Sequence, residues 1–315
     1  MSEATAKEGS PGRAAIAGSV GLIVLIWAFN FIAAKIGVRY LPALALASFR
    51  VMLAAVLMVP VYLLGAKQPA FAEAARTQKR GISWGDLWTF TYLGFFSVAV
   101  NQICFTVGLR YTSVSHAAVI VGMGPIYTMF LAVLLGIEQA NRRKIIGMGV
   151  AFAGLVVLAS DNLRSSHSSL LGDVIALAGA LGFATYVVLG KRVAARYDSL
   201  TMTAFNHFAG ALIVLPVAVM QARSIGSAAK WRAIPWPAWA AVMYMAVFAS
   251  AAAYLLYFWL LRYLEASQLS AFTYALPIVA TLMGIVWLGE RASRVQFLGG
   301  AIALSGLYWI ESKHR

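Results

Sequence analysis

The sequence predicts an all-α membrane protein in which ten transmembrane helices form two inverted five-helix repeats. Its composition is the first observation behind this fold class. Of the 315 residues, 61% are hydrophobic and 11% are charged, whereas soluble domains average about 45–50% and about 25%. The second observation is that the apolar residues fall into ten runs, most of them close to the roughly 20 residues that a spanning helix needs. The third is that the two halves of the chain share one pattern of residues.

This composition excludes a soluble enzyme, and the positive charge does not indicate nucleic acid. The net charge is +14, but the basic residues are scattered through loops beside apolar runs, where such charge sets the orientation of a membrane protein. We therefore expect membrane lipid, and no nucleic acid, around the chain. The one cysteine, Cys104, lies inside an apolar run, so an intramolecular disulfide is excluded.

Ten spans can be placed along the chain. Their approximate bounds are 16–34, 43–64, 87–109, 113–136, 145–160, 171–190, 201–220, 238–261, 266–288 and 295–311. Backbone groups in lipid find no water to bond, so each span is predicted as a helix. Residues 1–15 are rich in small and charged residues and are predicted to form a disordered cytoplasmic tail. The first apolar run lacks a clear cleavage site, which favours a retained span over a signal peptide.

The distribution of Lys and Arg predicts the orientation of the spans. With the N-terminus in the cytoplasm, 15 basic residues fall on the cytoplasmic side, 9 on the opposite side and one inside a span. The densest clusters, Arg142-Arg143-Lys144 and Lys191-Arg192, are both cytoplasmic in this arrangement. Cytoplasmic loops carry the excess of basic residues in membrane proteins, so both termini are predicted to be cytoplasmic.

The two halves repeat when the chain is shifted by 152 residues. Pro125 then aligns with Pro277 and Glu138 with Glu290, and 12 of the 50 residues in the window 111–160 are identical. Each copy holds five predicted spans, and because five is odd, the second copy enters the membrane upside down. Inverted repeats of this kind are typical of secondary transporters.

Several motifs along the chain resemble those of a known family. They are Trp27-Ala28-Phe29-Asn30-Phe31 in span one, Phe49-Arg50 in span two, and the stretch 125–138 with its copy 277–290. With these motifs the chain resembles the drug/metabolite transporter superfamily, in the form with two EamA-like domains. The resemblance implies repeats at 16–160 and 161–315, a central cavity between them, and export of small metabolites or amino acids through a bacterial inner membrane.

Arg50 is the one basic residue well inside a predicted span. It lies about seven residues into span two, roughly 10 Å below the boundary at 1.5 Å per residue. Arginine at such depth faces protein or a wet cavity, and its planar guanidinium can hold a carboxylate with two hydrogen bonds. A substrate-binding role and a structural role, in which Arg50 bonds broken backbone, are both consistent with the sequence.

A set of polar and aromatic residues inside the spans is predicted to line the cavity. Ser270 and Tyr274 share one face of span nine, and Tyr254 and Tyr257 share one face of span eight. The full predicted set is Trp27, Asn30, Arg50, Tyr186, Tyr254, Tyr257, Ser270 and Tyr274, with Asn101, Gln102 and His116 as weaker candidates. Hydrogen bonding between helices is the alternative role for such residues.

Two prolines lie in the middle of spans at equivalent places in the repeats. Pro125 lies in span four and Pro277 in span nine. A proline inside a helix removes one backbone hydrogen bond and bends the helix. We predict that both are hinges or parts of the cavity wall, with a static kink as the alternative.

Acidic residues are missing from the middle of every predicted span. Glu138 and Glu290 lie where their spans end, which favours structural ion pairs near the membrane surface over proton coupling. His207 lies mid-span and could carry a proton, although a hydrogen-bonded structural role is favoured. No hydrolase, zinc-protease or nucleotide-binding motif occurs, so no enzyme activity, metal or cofactor is expected.

The sequence therefore predicts a secondary transporter that exports a small-molecule substrate by alternating access. The predicted substrate is a small metabolite with a carboxylate, such as an amino acid, which is a class that the resemblance implies and that Arg50 could bind. An exporter of organic cations or drugs remains an alternative, although such exporters commonly use a buried carboxylate. A receptor or structural subunit that keeps the fold without transport is the alternative from another class. The coupling ion and the oligomeric state are left open.

Overall fold

The structure is a computed structural model that describes residues 11–65, 83–112, 114–165, 169–194, 196–276, 278–279, 282 and 293–311. In these ranges the regular elements are all helices. They are α1 (Arg13–Tyr40), α2 (Ala43–Gly65), α3 (Trp84–Tyr111), α4 (Val114–Gly122), α5 (Gly124–Leu134), α6 (Arg142–Ser165), α7 (Leu170–Val193), α8 (Ser199–Ile225), α9 (Ala228–Ala233), α10 (Trp236–Leu261), α11 (Ala266–Ala271) and α12 (Arg294–Glu311).

Most of these helices can cross a membrane. Within the described residues, seven are long and apolar enough to span a bilayer: α1, α2, α3, α6, α7, α8 and α10. Two shorter apolar stretches, Val119–Leu134 and Phe297–Ile310, correspond to the fourth and tenth predicted spans. The ninth span begins with α11 and lies partly outside the described residues. The prediction of an all-α membrane protein is confirmed.

The first helix extends beyond its apolar run at both ends. It begins at Arg13, so the last three residues of the segment predicted as a disordered tail are helical. It also continues past residue 34 to Tyr40 and includes Lys35 and Arg39. Long basic side chains can keep their charge at the membrane interface while their stems stay on apolar surface. The end of the apolar run therefore does not mark the end of the helix.

Helices from the two halves pair with their equivalents. The second spans of the two halves pack on each other, as α2 on α8, and so do the fifth spans, as α6 on α12. The third span of the first half packs on the first span of the second half, as α3 on α7. Conversely, the third span of the second half packs on the first span of the first half, as α10 on α1. This reciprocal pairing is the arrangement that two inverted repeats give when they share one pseudo-two-fold axis.

The pair α6 and α12 shows why glycine recurs in both halves. A Cβ atom added at Gly154 would lie 2.3 Å from the backbone nitrogen of Ala303, and one added at Gly306 would lie 2.4 Å from that of Ala151. No side chain fits at these distances, so the two helices touch backbone to backbone. Small residues allow such close approach between helices in membranes.

Candidate functional site

A cavity lies between the two halves of the chain. It encloses about 720 Å³ of space, counted with its opening, and is lined by residues of α1, α2, α3, α4, α5, α7, α10 and α11 and of the turn that follows α11. Five of the eight residues that we predicted from the sequence line it. They are Trp27, Asn30, Arg50, Tyr254 and Ser270. Their roles in binding stay predictions, but the structure brings these five together.

Aromatic side chains make up much of the cavity wall. Trp27 and Phe183 meet edge to face with ring centroids 5.5 Å apart, and Phe31 meets Phe105 in the same way at 5.0 Å. All four rings line the cavity. Such a wall can bury the apolar part of a ligand, while a few polar groups fix its orientation.

Tyr186 and Tyr257 lie one layer behind this wall. Tyr257 packs against Trp27 at 5.5 Å, and Tyr186 packs against Tyr254 at 5.7 Å. Both are almost fully buried, at 1% and 0% exposure. The helix α7 turns Phe183, not Tyr186, into the cavity. The two tyrosines therefore support the rings that line the cavity and are not themselves part of its surface.

The prediction that Ser270 and Tyr274 both face the cavity from span nine is corrected by the structure. The prediction assumed a regular α-helix, but the chain tightens into a 3₁₀ turn over Phe272–Tyr274, where a turn takes three residues. Ser270 and Thr273 consequently face the cavity. Tyr274 points away from it and packs in a cluster with Met148 of α6.

The hinge prediction can be examined at one of its two prolines. The fourth span is divided at Met123, and Pro125 follows in the first turn of α5. A proline is tolerated there because the first N–H groups of a helix have no partner within it. Gly124, next to Pro125, lines the cavity. The role as a hinge stays a prediction, and Pro277 lies outside the described residues.

A chain of hydrogen bonds joins three buried side chains at the cavity. The Arg50 Nη2 group donates to Ser250 Oγ at 3.0 Å, and the Ser250 hydroxyl donates to Gln102 Oε1 at 3.1 Å. The three residues come from α2, α10 and α3, so the chain links both halves of the protein. Ser250 was not among the predicted residues. It is a single serine in an alanine-rich run, which no sequence pattern distinguishes.

The guanidinium of Arg50 has no carboxylate beside it in the described part of the chain. Its exposure is 3%, and its Nε atom has no hydrogen-bond partner. The aspartates and glutamates in the described ranges lie near helix ends or in connections, and the cavity lining contains none. Buried charges are normally paired, so this cation lines the cavity with capacity for an anion.

Two π-helical segments place polar groups around the cavity. They span Phe95–Gln102 in α3 and Met245–Ala252 in α10. In them the Ser97 carbonyl accepts from the Tyr254 hydroxyl at 3.2 Å, and the Ala249 carbonyl accepts from Trp27 Nε1 at 3.3 Å. Ser97 and Ala249 are equivalent at the 152-residue offset. Short π-helical segments free backbone carbonyls and are frequent at functional sites.

His207 is fully buried beside the cavity and does not line it. Its Nδ1 lies 2.8 Å from the Thr203 carbonyl oxygen, which can only accept, so Nδ1 carries the proton. Its ring meets that of Tyr254 edge to face at 5.4 Å. This placement agrees with the structural role that the sequence favoured.

Glu138 bonds to the other half of the chain at one end of the bundle. Its carboxylate accepts hydrogen bonds from the backbone N–H and the hydroxyl of Ser267. Lys144 Nζ lies 3.5 Å from the same carboxylate and also contacts Glu265. The predicted structural ion pair at Glu138 is therefore present, and Glu290 lies outside the described residues.

Comparison with known proteins identifies the family. Residues 17–160 and 170–312 each match the EamA-like transporter family. An uncharacterized transporter of Archaeoglobus fulgidus is 26% identical over 93% of this chain and 98% of its own length. A probable amino-acid metabolite efflux pump of Escherichia coli is 24% identical over 91% of each chain. A probable terminal-alkyne amino-acid exporter of Streptantibioticus cattleyicolor is 25% identical over 93% and 92%.

The fold also has a solved counterpart. A crystal structure that is 16% identical in sequence superposes with a TM-score of 0.72 and covers 96% of this chain and 98% of its own. That likeness concerns the fold alone. Because the family match covers both halves of the helical chain, this protein belongs to the EamA-like transporter family.

Proposed function

We propose that the protein is a secondary transporter that exports small metabolites bearing a carboxylate, amino acids among them, by alternating access. The observation that carries the proposal is Arg50, a buried cation that lines the cavity and has no carboxylate partner in the described residues. An arginine held in this way can bind a carboxylate through two hydrogen bonds. Two relatives that are named for amino-acid export, at 24% and 25% identity, support the same class of substrate.

The aromatic wall suits the rest of such a substrate. Trp27 and Phe183 offer apolar surface on one side of the cavity, and the Asn30 side chain lines it with an Oδ1 atom that has no hydrogen-bond partner. Asn30 Oδ1 is an acceptor, so it can take a hydrogen bond from an ammonium group. The cavity therefore offers donors for a carboxylate and an acceptor for an amine.

Transport by proteoliposomes tests the proposal. Purified protein in sealed vesicles should release preloaded radiolabelled amino acids down their gradient, and unlabelled amino acids on the outside should accelerate the release. The amide of the same amino acid keeps the side chain and the amine but lacks the carboxylate, so it should not accelerate the release. Absence of flux for every amino acid would favour a receptor or structural role. Equal acceleration by the amide would favour an exporter of organic cations.

A pH gradient alone should not drive uphill accumulation. In the described part of the chain no acid lines the cavity, and His207 is buried with its Nδ1 proton held by Thr203. We therefore expect movement down the substrate gradient, or exchange, over obligatory proton antiport. The measurement is amino-acid accumulation after an acid or alkaline jump across proteoliposomes. Uphill accumulation that survives His207→Ala would assign the proton to an acid such as Glu138.

We propose that both termini are cytoplasmic, from the 15-to-9 distribution of basic residues. In a Cys104→Ala background, an impermeant maleimide should not label Ser2→Cys or His314→Cys in intact cells. Ser227→Cys, an exposed position between α8 and α9, should be labelled, because an odd number of spans separates it from the N-terminus. Labelling of the termini without labelling at position 227 would reverse the proposed topology.

A further inference from the structure

We propose that Gln102 is the second arm of the anion site and that Arg50 and Gln102 together set the charge selectivity of the cavity. The inference rests on the proposed function, because it assigns a role at the same site. Both side chains line the cavity, and both are buried, at 3% and 2% exposure.

The hydrogen-bond chain fixes the orientation of the Gln102 amide. A serine hydroxyl has a single proton. Ser250 accepts from Arg50 and so gives that proton to the Gln102 side chain, which must present its oxygen. The amide nitrogen of Gln102 then points elsewhere and makes no hydrogen bond of good geometry, although the Tyr254 hydroxyl lies close enough to interact with the Gln102 side chain. In the reverse orientation the Ser250 oxygen would accept from both side chains, and neither of these contacts would give its own proton an acceptor.

Two unused donors therefore belong to one connected group. Arg50 Nε and Gln102 Nε2 are both buried and unpartnered, and a single hydroxyl, Ser250 Oγ, joins the two side chains. Buried donors are rarely left without acceptors. A carboxylate has two oxygens that only accept, so it complements this pair, whereas an ammonium group offers only donors and would be repelled.

Two neighbouring residues at the end of the π-helical segment of α3 reach the cavity. Asn101 and Gln102 both line it, as the adjacent Asn30 and Phe31 of α1 do. The segment Phe95–Gln102 is wider than an α-helix and ends at Gln102. Asn101 uses its own amide nitrogen on the Gly179 carbonyl at 3.0 Å, which leaves Gln102 as the free donor of the two.

The charge of residue 102 should therefore decide which ligands bind. Gln102→Glu places a carboxylate next to the position of the substrate carboxylate, which it would repel, and it gives the Arg50 guanidinium a counter-ion inside the protein. Gln102→Met keeps the length of the side chain and removes only its hydrogen-bonding groups. The carboxylate introduced by Gln102→Glu would act as an internal competitor that excludes negatively charged ligands.

Thermal shift on the purified full-length protein tests this. A screen of the twenty proteinogenic amino acids first finds the one that stabilises the wild type most. The two ligands are that amino acid and its amide. We expect Gln102→Met to weaken amino-acid binding by about 10- to 150-fold, the range for one hydrogen bond to a charged group. Gln102→Glu should weaken it by at least about 100-fold and make the amide the preferred ligand.

The ligand-free proteins provide a second measurement. Gln102→Glu should melt at a higher temperature than Gln102→Met, because the buried guanidinium gains a counter-ion in the first variant alone. Gln221→Glu is the matched control: it makes the same change of charge at the end of α8 and away from the cavity, so it should bind the amino acid as the wild type does.

The outcomes separate the two proposals. If no amino acid stabilises the wild type, the proposed function fails. If the wild type binds an amino acid and Gln102→Glu binds it equally well, the proposed function survives and the role of Gln102 is overturned. Retained preference for the amino acid over its amide in Gln102→Glu would overturn it as well.

Discussion

Replacing Arg50 by methionine is expected to weaken amino-acid binding by about 2–5 kcal/mol, or about 30- to 5,000-fold, the range for removing one partner of a buried charged pair. The same change should leave the ligand-free protein at least as stable as the wild type. Arg50 is buried without a carboxylate partner in the described residues, and a buried charge without a counter-ion is costly. Methionine fills a similar volume and carries no charge.

These opposite effects on binding and stability distinguish the two interpretations of Arg50. If the residue is structural and bonds the surrounding helices, Arg50→Met should lower the melting temperature and affect binding only through the loss of folded protein. If it holds the substrate, the melting temperature stays level or rises while binding is lost. Calorimetric titration and thermal unfolding of the same preparation give both quantities.

Arg50→Lys is the informative companion variant. Lysine keeps the positive charge, but it is a point charge that cannot offer the planar pair of donors of a guanidinium. We expect binding between that of the wild type and that of Arg50→Met. Binding by Arg50→Met that equals the wild type would show that the carboxylate is held elsewhere and would remove the main support for the proposed substrate class.

The fold was predictable because few backbone conformations are stable in lipid. Backbone groups in lipid must form their hydrogen bonds within the helix, so each apolar run predicted a transmembrane helix. The pattern shared around Pro125 and Glu138 predicted the repeat. The described residues agree with these predictions except at helix ends, at Met123, where the fourth span is divided, and at the 3₁₀ turn Phe272–Tyr274 of the ninth span. Arg13 and Arg39, for example, lie inside α1, because hydropathy measures the lipid-facing length of a helix and not where its hydrogen bonding stops.

The cavity was predictable only where a residue is unusual for a span. Arg50, Asn30 and Trp27 are conspicuous in apolar runs, and all three line it. Ser250 resembles the alanines around it, and its importance arises from Arg50 and Gln102, which approach it from other helices. Contacts between distant segments leave no trace in the pattern of one sequence.

Changes of helix type account for the remaining differences. The prediction for Tyr274 assumed 3.6 residues per turn, and the 3₁₀ turn at Phe272–Tyr274 moved that side chain off the cavity and brought Thr273 onto it. The π-helical segments of α3 and α10 are further departures from the regular α-helix that the prediction assumed. Both helix types occur in ordinary apolar sequence, so composition and periodicity do not indicate them.

Gly154→Ala is expected to destabilise the fold strongly, although it adds a single methyl group. The added Cβ would lie 2.3 Å from the backbone nitrogen of Ala303 and 2.8 Å from the Gly299 carbonyl oxygen. Backbone atoms cannot turn away as side chains do, so α6 and α12 would have to separate. Overpacking usually costs about 1–3 kcal/mol, and we expect the upper part of that range or more.

A control lies on the same helix. Gly149 has no atom within 4 Å of an added Cβ, so Gly149→Ala should be neutral or slightly stabilising, since alanine favours a helix over glycine by roughly 1 kcal/mol. The repeat supplies a second comparison on α12. Gly306→Ala should be as damaging as Gly154→Ala, because its Cβ would lie 2.4 Å from the Ala151 nitrogen, while Gly300→Ala meets only a side-chain carbon at 3.7 Å.

The four variants also test whether the packing of α6 against α12 affects substrate binding. Neither α6 nor α12 lines the cavity in the described residues, so the packing of this pair bears on folding and not directly on the ligand. Thermal unfolding in detergent should place Gly154→Ala and Gly306→Ala well below Gly149→Ala and Gly300→Ala. The fraction that remains folded should bind the amino acid with the wild-type dissociation constant. Equal melting temperatures would refute the backbone contact, and a changed dissociation constant would mean that the glycine pair holds the geometry of the site as well as the fold.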